Sequence, residues 1–259
     1  MPRDRHQRQR RRPVTRSRRI LRTIEAVVCC ALLGAGGYWF YHFLQESEYF
    51  SVKIIRVQGN NVLDGEDVIA ASGLSQEDNL LFLDISAVED RVEAIPYVHT
   101  CRVSRRFPDL VILKVEERTP IATLLVGSRC FEVDAEGVVL RELSPTDPYV
   151  SPFIMRVEEV SLVEVGERLE AEDLRNALAV VQAFRGTQLS EQVTVSELAV
   201  YGEDDIRMIC DELPFEIRWG RDDFAEQGKR LDILWRESDG VLPCKQYLDL
   251  RFGNDLACK

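Results

Sequence analysis

The pattern of hydrophobic and polar positions divides the chain into three parts, and the first is a continuous apolar segment. Residues 26–44 contain nineteen amino acids and no charged side chain. A helix of about 20 apolar residues crosses the roughly 30 Å hydrocarbon core of a bilayer, so this segment predicts a single transmembrane helix. It runs into the aromatic sequence YWFY at 38–41 rather than a small-residue cleavage site, which favours an uncleaved anchor over a secretory signal peptide.

The second part, residues 49–119, predicts a small α/β unit. Apolar residues alternate at even positions from 50 to 54 and then at odd positions from 55 to 57. This change predicts a first strand that carries a bulge or buries both faces. Two further strands flank a turn at Phe107-Pro108-Asp109. With two helices between the first strand and the second, the predicted order is β-α-α-β-β. Three strands with both helices on one face would bury a small core.

Local signals mark the ends of these two helices. Asp64 is predicted to cap the first helix, and Gly73 suits its carboxyl end. Ser86 and Glu89 form a capping box that predicts the start of the second helix, and Pro96 predicts its end.

The third part, residues 120–259, predicts a mostly antiparallel sheet with two packed helices. A strand–turn–strand unit spans 130–140, and apolar faces predict helices near 171–184 and after Asp222. The last predicted strand has the sequence QYLDLRF at 246–252. Its side chains alternate between two faces, one with Leu248, Leu250 and Phe252 and the other with Tyr247, Asp249 and Arg251.

Further strands are predicted at 193–201, 206–210 and 215–219. Together the three parts predict an α+β protein. It consists of a single amino-terminal transmembrane helix, the β-α-α-β-β unit, and a mostly antiparallel β domain with packed helices.

Charge differs between the two ends of the chain. Residues 1–22 hold ten arginines and one acidic residue, Asp4, so they carry +9, whereas the whole chain carries −11 and the remaining 237 residues therefore −20. Arginine-rich flanks of a span stay in the cytoplasm, which predicts a cytoplasmic basic tail at 1–25 and an exported region after the helix. Beside a span, such a run indicates topology and contact with anionic lipid rather than nucleic-acid binding.

Seven cysteines are divided between the span and the exported region. Cys29 and Cys30 lie in the span, and we interpret them as small residues that serve helix packing. The other five lie where disulfides are permitted, and Cys244 with Cys258 is one possible pair among them. The sequence has no CxxC motif and no Cys/His cluster, which gives zinc and thioredoxin-like chemistry little support.

Residues suited to catalysis are sparse. Of the three histidines, His6 and His42 lie in the tail and at the membrane edge, and His99 lies in a predicted strand without a serine or cysteine signature nearby. Acidic pairs such as Glu116-Glu117 fall at predicted turns and element ends, where solvation is the usual reason for them. The sequence therefore predicts a protein that is not an enzyme and has no cofactor or metal site.

A series of short motifs resembles a known family. In order they are GN at 59–60, LLFLD at 80–84, IPYV at 95–98, RRFPD at 105–109 and ERTPIA at 117–122. Each motif is weak alone, but their order downstream of one amino-terminal span resembles the POTRA domain of the FtsQ/DivIB proteins of bacterial cell division. The second, β-rich domain of that family is similar to the region with RWGRDD at 218–223, KRLDIL at 229–234 and YLDLRFGN at 247–254.

The resemblance implies a tail at 1–25, a transmembrane helix at 26–44, a POTRA domain at 49–119 and a β domain at 120–259. It implies a non-enzymatic scaffold of the division machinery that supports septal peptidoglycan synthesis, as a single-pass type II protein of the cytoplasmic membrane at the septum. The implied partners are small single-span coiled-coil proteins of the FtsB/FtsL type. Other division proteins would contact the POTRA domain and the transmembrane helix.

The end of the β domain is the predicted contact site. An open sheet edge near the chain end can pair with an extended peptide through main-chain hydrogen bonds. By motif position, the resemblance gives this contact to Arg251 and Phe252, supported by Tyr247, Leu248, Asp249, Leu250 and Asn254. The alternative is structural, with Leu248, Leu250 and Phe252 in the core and Asp249 paired with Arg251.

Two other functions stay open at this point. POTRA units also occur in outer-membrane assembly and secretion proteins, where they guide substrate chains, but the sequence shows no run of lipid-facing strands for a following β-barrel. The other possibility is a membrane-anchored hydrolase, which would require a converging pocket with perturbed carboxylates.

Overall fold

The computed structural model describes residues 15–157, 160, 162–201, 205–252 and 257–259, with side chains from residue 21 onward. Two compact units make up the chain. Of the described residues, one contains those up to Ile54 together with Ser75–Leu83 and Arg105–Val111, and the other contains Ile55–Leu74, Asp84–Ser104 and those from Ile112 onward. The boundaries of these two units do not coincide with the predicted domain limits of 49–119 and 120–259, which therefore stay a prediction.

The first unit is built around one long helix, α1 (Thr15–Gln45). Its stretch Leu21–Gln45 has a mean hydropathy of 1.5 and is long and apolar enough to cross a membrane. The predicted amino-terminal apolar helix is confirmed, and it extends beyond the predicted limits in both directions. At its carboxyl end the side-chain amide of Asn79 donates to the carbonyl oxygens of Leu44 at 2.8 Å and Gln45 at 3.1 Å, so two of the last carbonyls of the helix have partners.

A three-stranded sheet with two helices follows α1 in the chain. The strands are β1 (Ile54–Gln58), β2 (Val98–Arg106) and β3 (Leu110–Glu117), and the helices are α2 (Gly65–Ser72) and α3 (Ile85–Glu93). The strands pair in the order β1-β3-β2, and the chain order β-α-α-β-β is confirmed. The completely buried residues of this part include Val68, Val88, Val92 and Leu113.

Two boundaries differ from the sequence prediction. β1 begins only at Ile54, because Glu48–Phe50 form a single turn of 3-10 helix before it. α3 is capped by Asp84, whose carboxylate accepts a backbone N–H of the first turn at 3.2 Å, so the capping box predicted at Ser86 is wrong. Asp64 caps α2 as predicted, through a hydrogen bond of 3.0 Å.

One carboxylate organises the turn after β1. Glu117 accepts the backbone N–H groups of residues 61–63 at 2.8–2.9 Å. Burial alone would raise the pKa of the Glu117 carboxyl, but these hydrogen bonds outweigh it and hold the pKa below its ordinary value. Gly59 has a φ of 88°, and a Cβ there would lie 2.1 Å from the carbonyl oxygen of Val115, so only glycine fits. The GN and ERTPIA motifs therefore meet in one turn.

The rest of the second unit is a sheet of nine strands with two helices. The strands are β4 (Pro120–Val126), β5 (Arg129–Asp134), β6 (Val139–Leu143), β7 (Phe153–Met155), β8 (Val195–Val200), β9 (Ile206–Cys210), β10 (Glu216–Trp219), β11 (Tyr247–Asp249) and β12 (Ala257–Cys258), and the helices are α4 (Glu172–Arg185) and α5 (Phe224–Glu237). Across the described residues the strand order is β12-β11-β10-β9-β8-β7-β4-β5-β6. Only β4–β7, β7–β8 and β10–β11 are parallel pairs, which confirms a mostly antiparallel sheet.

The two helices and the sheet share one hydrophobic core. Its fully buried members include Phe131 and Trp219 from the sheet, Leu174 from α4 and Leu231 from α5. The helices approach each other closely where a Cβ on Gly228 of α5 would lie 3.0 Å from the carbonyl oxygen of Ala183 in α4. A larger residue at 228 would push the helices apart.

A buried ion pair joins β5 to β6 and to the start of β2. Glu132 is 3% exposed and accepts hydrogen bonds from Arg141 at 2.7 and 2.9 Å and from the hydroxyl of Tyr97. Burial alone would raise the pKa of the Glu132 carboxyl, but Arg141 and Tyr97 hold the pKa below its ordinary value. Since Tyr97 belongs to the IPYV motif, this pair fixes that motif onto the nine-stranded sheet.

Arg141→Met is expected to destabilise the protein, because it leaves the buried Glu132 carboxylate without its cation. We expect a loss of about 2 kcal/mol in the free energy of unfolding, less than for a fully buried pair, because the Arg141 side chain is 42% exposed. Arg129→Met is the matched control. Arg129 makes the same two-bond contact with Glu142 on the same two strands, but these side chains are 51% and 43% exposed. Urea unfolding that showed equal losses for the two variants would contradict this assignment.

The stability of the protein at alkaline pH is expected to depend on Tyr97. Burial and the adjacent Glu132 carboxylate raise the pKa of the Tyr97 hydroxyl to about 12. An unfolded tyrosine titrates at about pH 10, so this contribution to stability is complete below that pH and is lost as the pH rises towards 12. Tyr97→Phe should therefore show a smaller loss of unfolding free energy above pH ~10 than the wild type. The exposed Tyr149→Phe is the control, and identical alkaline slopes for all three proteins would exclude the effect.

Candidate functional site

The strand that carries most of the predicted site, β11, is not the edge of the sheet. It lies between β10, which pairs with it in parallel (Ile217 opposite Leu248), and β12, which pairs with it antiparallel (Leu248 opposite Cys258). The open edge predicted for 246–252 is therefore wrong at Leu248 and Asp249, where the chain's own carboxyl-terminal residues cover it. The border is displaced by one strand, to β12.

The backbone of Cys258 forms the new border. Tyr247 and Lys259 exchange two hydrogen bonds, from Lys259 N to Tyr247 O at 3.1 Å and from Tyr247 N to Lys259 O at 3.3 Å. In an antiparallel ladder the hydrogen-bonding direction alternates with each residue. The N–H and carbonyl of Cys258 therefore point away from β11, to the side where β12 is the last strand of the described sheet.

A disulfide fixes β12 to the sheet. Cys258 is bonded to Cys244, fourteen residues earlier, in the segment that leads into β11. This is the pair that the sequence left as one possibility. Burial raises the pKa of the Cys101 thiol to about 11 and that of Cys210 to about 12, which keeps both as unreactive thiols.

The predicted site residues separate into buried and exposed side chains. Leu248 and Leu250 are completely buried, and Asp249 is 2% exposed, so the structural alternative holds for these three. Phe252 is 59% exposed and is not a core residue. Tyr247 is partly buried, with the Arg218 guanidinium 4.1 Å above its ring. Asn254 lies outside the described residues.

Arg251 is tied to Asp249. Its guanidinium donates to the two carboxylate oxygens of Asp249 at 2.9 and 2.6 Å, which is the ion pair of the structural alternative. Burial alone would raise the pKa of the Asp249 carboxyl, but the hydrogen bonds from Arg251 hold the pKa below its ordinary value. The Arg251 side chain is still 28% exposed, and its guanidinium lies 5.8 Å from the ring centroid of Phe252. That the predicted residues contact a partner stays a prediction. Because Leu248, Asp249 and Leu250 are buried, only the side chains of Tyr247, Arg251 and Phe252 are left to make such a contact among the described residues.

An open cleft of about 520 Å³ lies beside Arg251 and Phe252. Arg221 and Arg230 line it as well, together with Asp222 and Asp223, and the Arg221 guanidinium lies 3.5 Å from the carboxylate of Glu172. Arg230 is held by a hydrogen bond of 2.9 Å to the carbonyl oxygen of Leu250, and it thus connects α5 to the end of β11. The arginines and aspartates that line the cleft belong to the motifs at 218–223, 229–234 and 247–254, whose proximity in the fold the sequence does not predict.

The arrangement provides groups suited to recognition. Among the described residues there is no group of three or more His, Cys, Asp or Glu side chains that could hold a metal ion. The acidic pair Glu116-Glu117 lies elsewhere, and Glu117 is occupied by the turn after β1. The end of the sheet offers main-chain hydrogen-bonding groups, one exposed aromatic ring and a cluster of arginines.

Comparison with known proteins gives two family matches. Residues 50–118 match the model of the POTRA domain, FtsQ-type, and residues 125–251 match the model of the Cell division protein FtsQ/DivIB, C-terminal. The matched region ends at Arg251, so β12 lies beyond it.

Similar proteins include three that are each named Cell division protein FtsQ. The protein of Caulobacter vibrioides is 33% identical over 75% of this chain and 67% of its own length. That of Syntrophotalea carbinolica is 28% identical over 78% of this chain and 71% of its own length. That of Geobacter sp. strain M21 is 24% identical over 89% of this chain and 83% of its own length.

Cys244→Ser is expected to release β12 from β11, because a strand of two residues has little pairing of its own. Closing a loop of this length with a disulfide stabilises a fold by about 3 kcal/mol. Amide hydrogen exchange of the carboxyl-terminal peptide should therefore become much faster in the variant. Cys130→Ser, which removes a free cysteine of β5, is the control. Unchanged exchange in Cys244→Ser would show that β12 is held by its hydrogen bonds alone.

Proposed function

As this chain belongs to the FtsQ/DivIB family of bacterial cell-division proteins, we propose that it is a non-enzymatic scaffold that captures a small membrane partner through the end of its nine-stranded sheet. The chain is a membrane-anchored division protein. The partner is a single-span coiled-coil protein of the FtsB/FtsL type. Holding it beside the membrane would support septal peptidoglycan synthesis, and other division proteins would contact the POTRA domain and α1.

The proposed topology is single-pass type II in the cytoplasmic membrane, with the bulk of the chain exported, at the division septum. The ten arginines within residues 1–22 support it, because basic flanks are retained in the cytoplasm. The disulfide between Cys244 and Cys258 agrees with an oxidising compartment for the sheet. The basic tail at 1–25 includes residues 1–14, which lie outside the described residues.

The observation that carries the proposal is the outward-facing backbone of Cys258 at the sheet border. An extended segment of a partner can align with β12 and continue the sheet through main-chain hydrogen bonds. Main-chain pairing supplies affinity without selecting a sequence, so selection depends on side chains next to the border. Phe252 offers an exposed ring for an apolar residue of the partner.

The cleft beside Arg251 and Phe252 adds polar contacts to this docking. Arg221, Arg230 and Arg251 line it together with Asp222 and Asp223, and Glu172 and Asp249 pair with Arg221 and Arg251. Charges of both signs there favour a partner segment with polar side chains next to its pairing strand. Arg251 would contribute to this contact, since it holds Asp249 and remains partly exposed.

Family membership favours cell division over the export and hydrolase alternatives. No feature of the described residues favours a substrate-guiding role in export or a hydrolytic site.

Phe252→Glu is expected to weaken capture of the partner about tenfold or more, because it replaces an exposed aromatic contact with a charge. The full chain in nanodiscs would be titrated with the candidate partner, and the circular-dichroism spectrum and melting temperature should stay unchanged. Val241→Glu is the matched control, since Val241 is another exposed apolar residue, at 74% exposure.

Equal binding by the wild type, Phe252→Glu and Val241→Glu would contradict the proposed docking site. A photo-crosslinker at position 252 in growing cells gives an independent result, because it should capture a membrane division protein. The division role itself fails if cells depleted of this chain form septa normally.

A further inference from the structure

The first compact unit exposes a group of aromatic side chains around the carboxyl end of α1. Phe82 is 42% exposed, Phe107 58% and Tyr49 65%. Rings of this size are normally buried, and neighbouring exposed ones mark a contact surface. None of the three belongs to the docking site at β12, so this surface needs a separate explanation.

Phe82 lies level with the last turn of α1. Its ring meets that of Tyr41 edge to face, with centroids 5.2 Å apart. Tyr41 precedes the end of the helix at Gln45 by about one turn. The hydrogen bonds from Asn79 to the carbonyl oxygens of Leu44 and Gln45 hold the segment before Phe82 against the same turn.

Phe107 is connected to the same place by two routes. Its ring packs edge to face on Phe50, with centroids 6.3 Å apart, and the carbonyl oxygen of Phe50 accepts the N–H of Leu80 at 2.7 Å. Two residues before Phe107, the Arg105 guanidinium donates to the carbonyl oxygens of Leu81 and Leu83, on either side of Phe82. The RRFPD motif, which takes no part in the docking proposed at β12, therefore lies beside the end of the apolar helix.

Tyr49 completes the group through Phe50. The two rings are 5.0 Å apart, edge to face. We call the exposed set Tyr49, Phe82 and Phe107 the aromatic collar.

We propose that the aromatic collar rests in the headgroup region of the bilayer leaflet from which α1 emerges, so that the lipid surface is its partner. The collar is continuous with a helix whose apolar stretch reaches Gln45, and Tyr41 places Phe82 at the depth of that last turn. Aromatic side chains concentrate at this boundary because their rings are apolar while the region is still partly wet.

The charges around the collar indicate what kind of lipid contact this is. Lys53 and Arg106 are exposed nearby, but so are Glu46 and Glu48. Charges of both signs give no strong preference for anionic lipid, so the contact is made by the rings. The collar would hold the first unit at a fixed height on the membrane, whichever protein binds at β12.

The test uses the full chain with benzoylphenylalanine at position 82 or 107, reconstituted in phosphatidylcholine nanodiscs with and without phosphatidylglycerol. After illumination, mass spectrometry of the intact protein measures the fraction with one added lipid. Benzoylphenylalanine at position 241 is the control for capture without a specific contact, since Val241 is 74% exposed in the other unit.

We expect lipid adducts at 82 and 107 severalfold above those at 241, with similar yields in both lipid mixtures. Adducts at 107 no more frequent than at 241, or crosslinks to a second copy of the protein in place of lipid, would overturn the proposal. A yield that required phosphatidylglycerol would also overturn it, because the contact would then be electrostatic.

A conservative variant covers the case in which the bulky crosslinker prevents folding. Phe107→Trp and Val241→Trp would be reconstituted in brominated and ordinary phosphatidylcholine. The native tryptophans contribute equally to both variants, so additional quenching in Phe107→Trp supports contact with lipid, and equal quenching overturns it. Neither result depends on the partner proposed for β12, so a failure here leaves that proposal intact.

Discussion

The border of the nine-stranded sheet at β12 exists only as long as this strand of two residues is held in place. β12 is too short to persist through its own pairing, and it is kept beside β11 by the bond between Cys244 and Cys258 and by the exchange of hydrogen bonds between Tyr247 and Lys259. Because β12 covers β11, it also decides which backbone groups face outwards. The disulfide and this pairing together determine both the integrity of the sheet border and the surface that a partner would meet.

Carboxylates recur where separate segments of the fold meet, and each of these has its partners in place. Glu117 holds three consecutive backbone N–H groups, Glu132 holds Arg141 and Tyr97, and Asp249 holds Arg251. In each case burial opposes the charge and the hydrogen bonds outweigh that cost. The acidic composition of the chain is therefore more than a solvated surface, because several carboxylates determine how neighbouring segments meet.

Most regular elements were predictable from the sequence, although β4 and β7 were not, and the site was predictable only in part. β9 was predicted at 206–210, where it is found, because its strand pattern is bounded by turn signals on both sides. β12 was missed, since two residues carry no periodicity. The strand predicted through Phe252 ends at Asp249, so alternation no longer applies at Phe252 and its ring faces solvent. The cleft beside Arg251 and Phe252 brings together residues from different motifs, and only the packing of α5 on the sheet makes them neighbours.

The bridge from the Asn79 amide to two successive carbonyls at the end of α1 has a consequence for orientation. Two hydrogen bonds from one side chain, together with the contact between Tyr41 and Phe82, restrict the rotation of the helix about its own axis relative to Ser75–Leu83. A neighbouring helix that binds one side of α1 within the bilayer therefore also determines the direction in which Ser75–Leu83 faces, measured in the plane of the membrane.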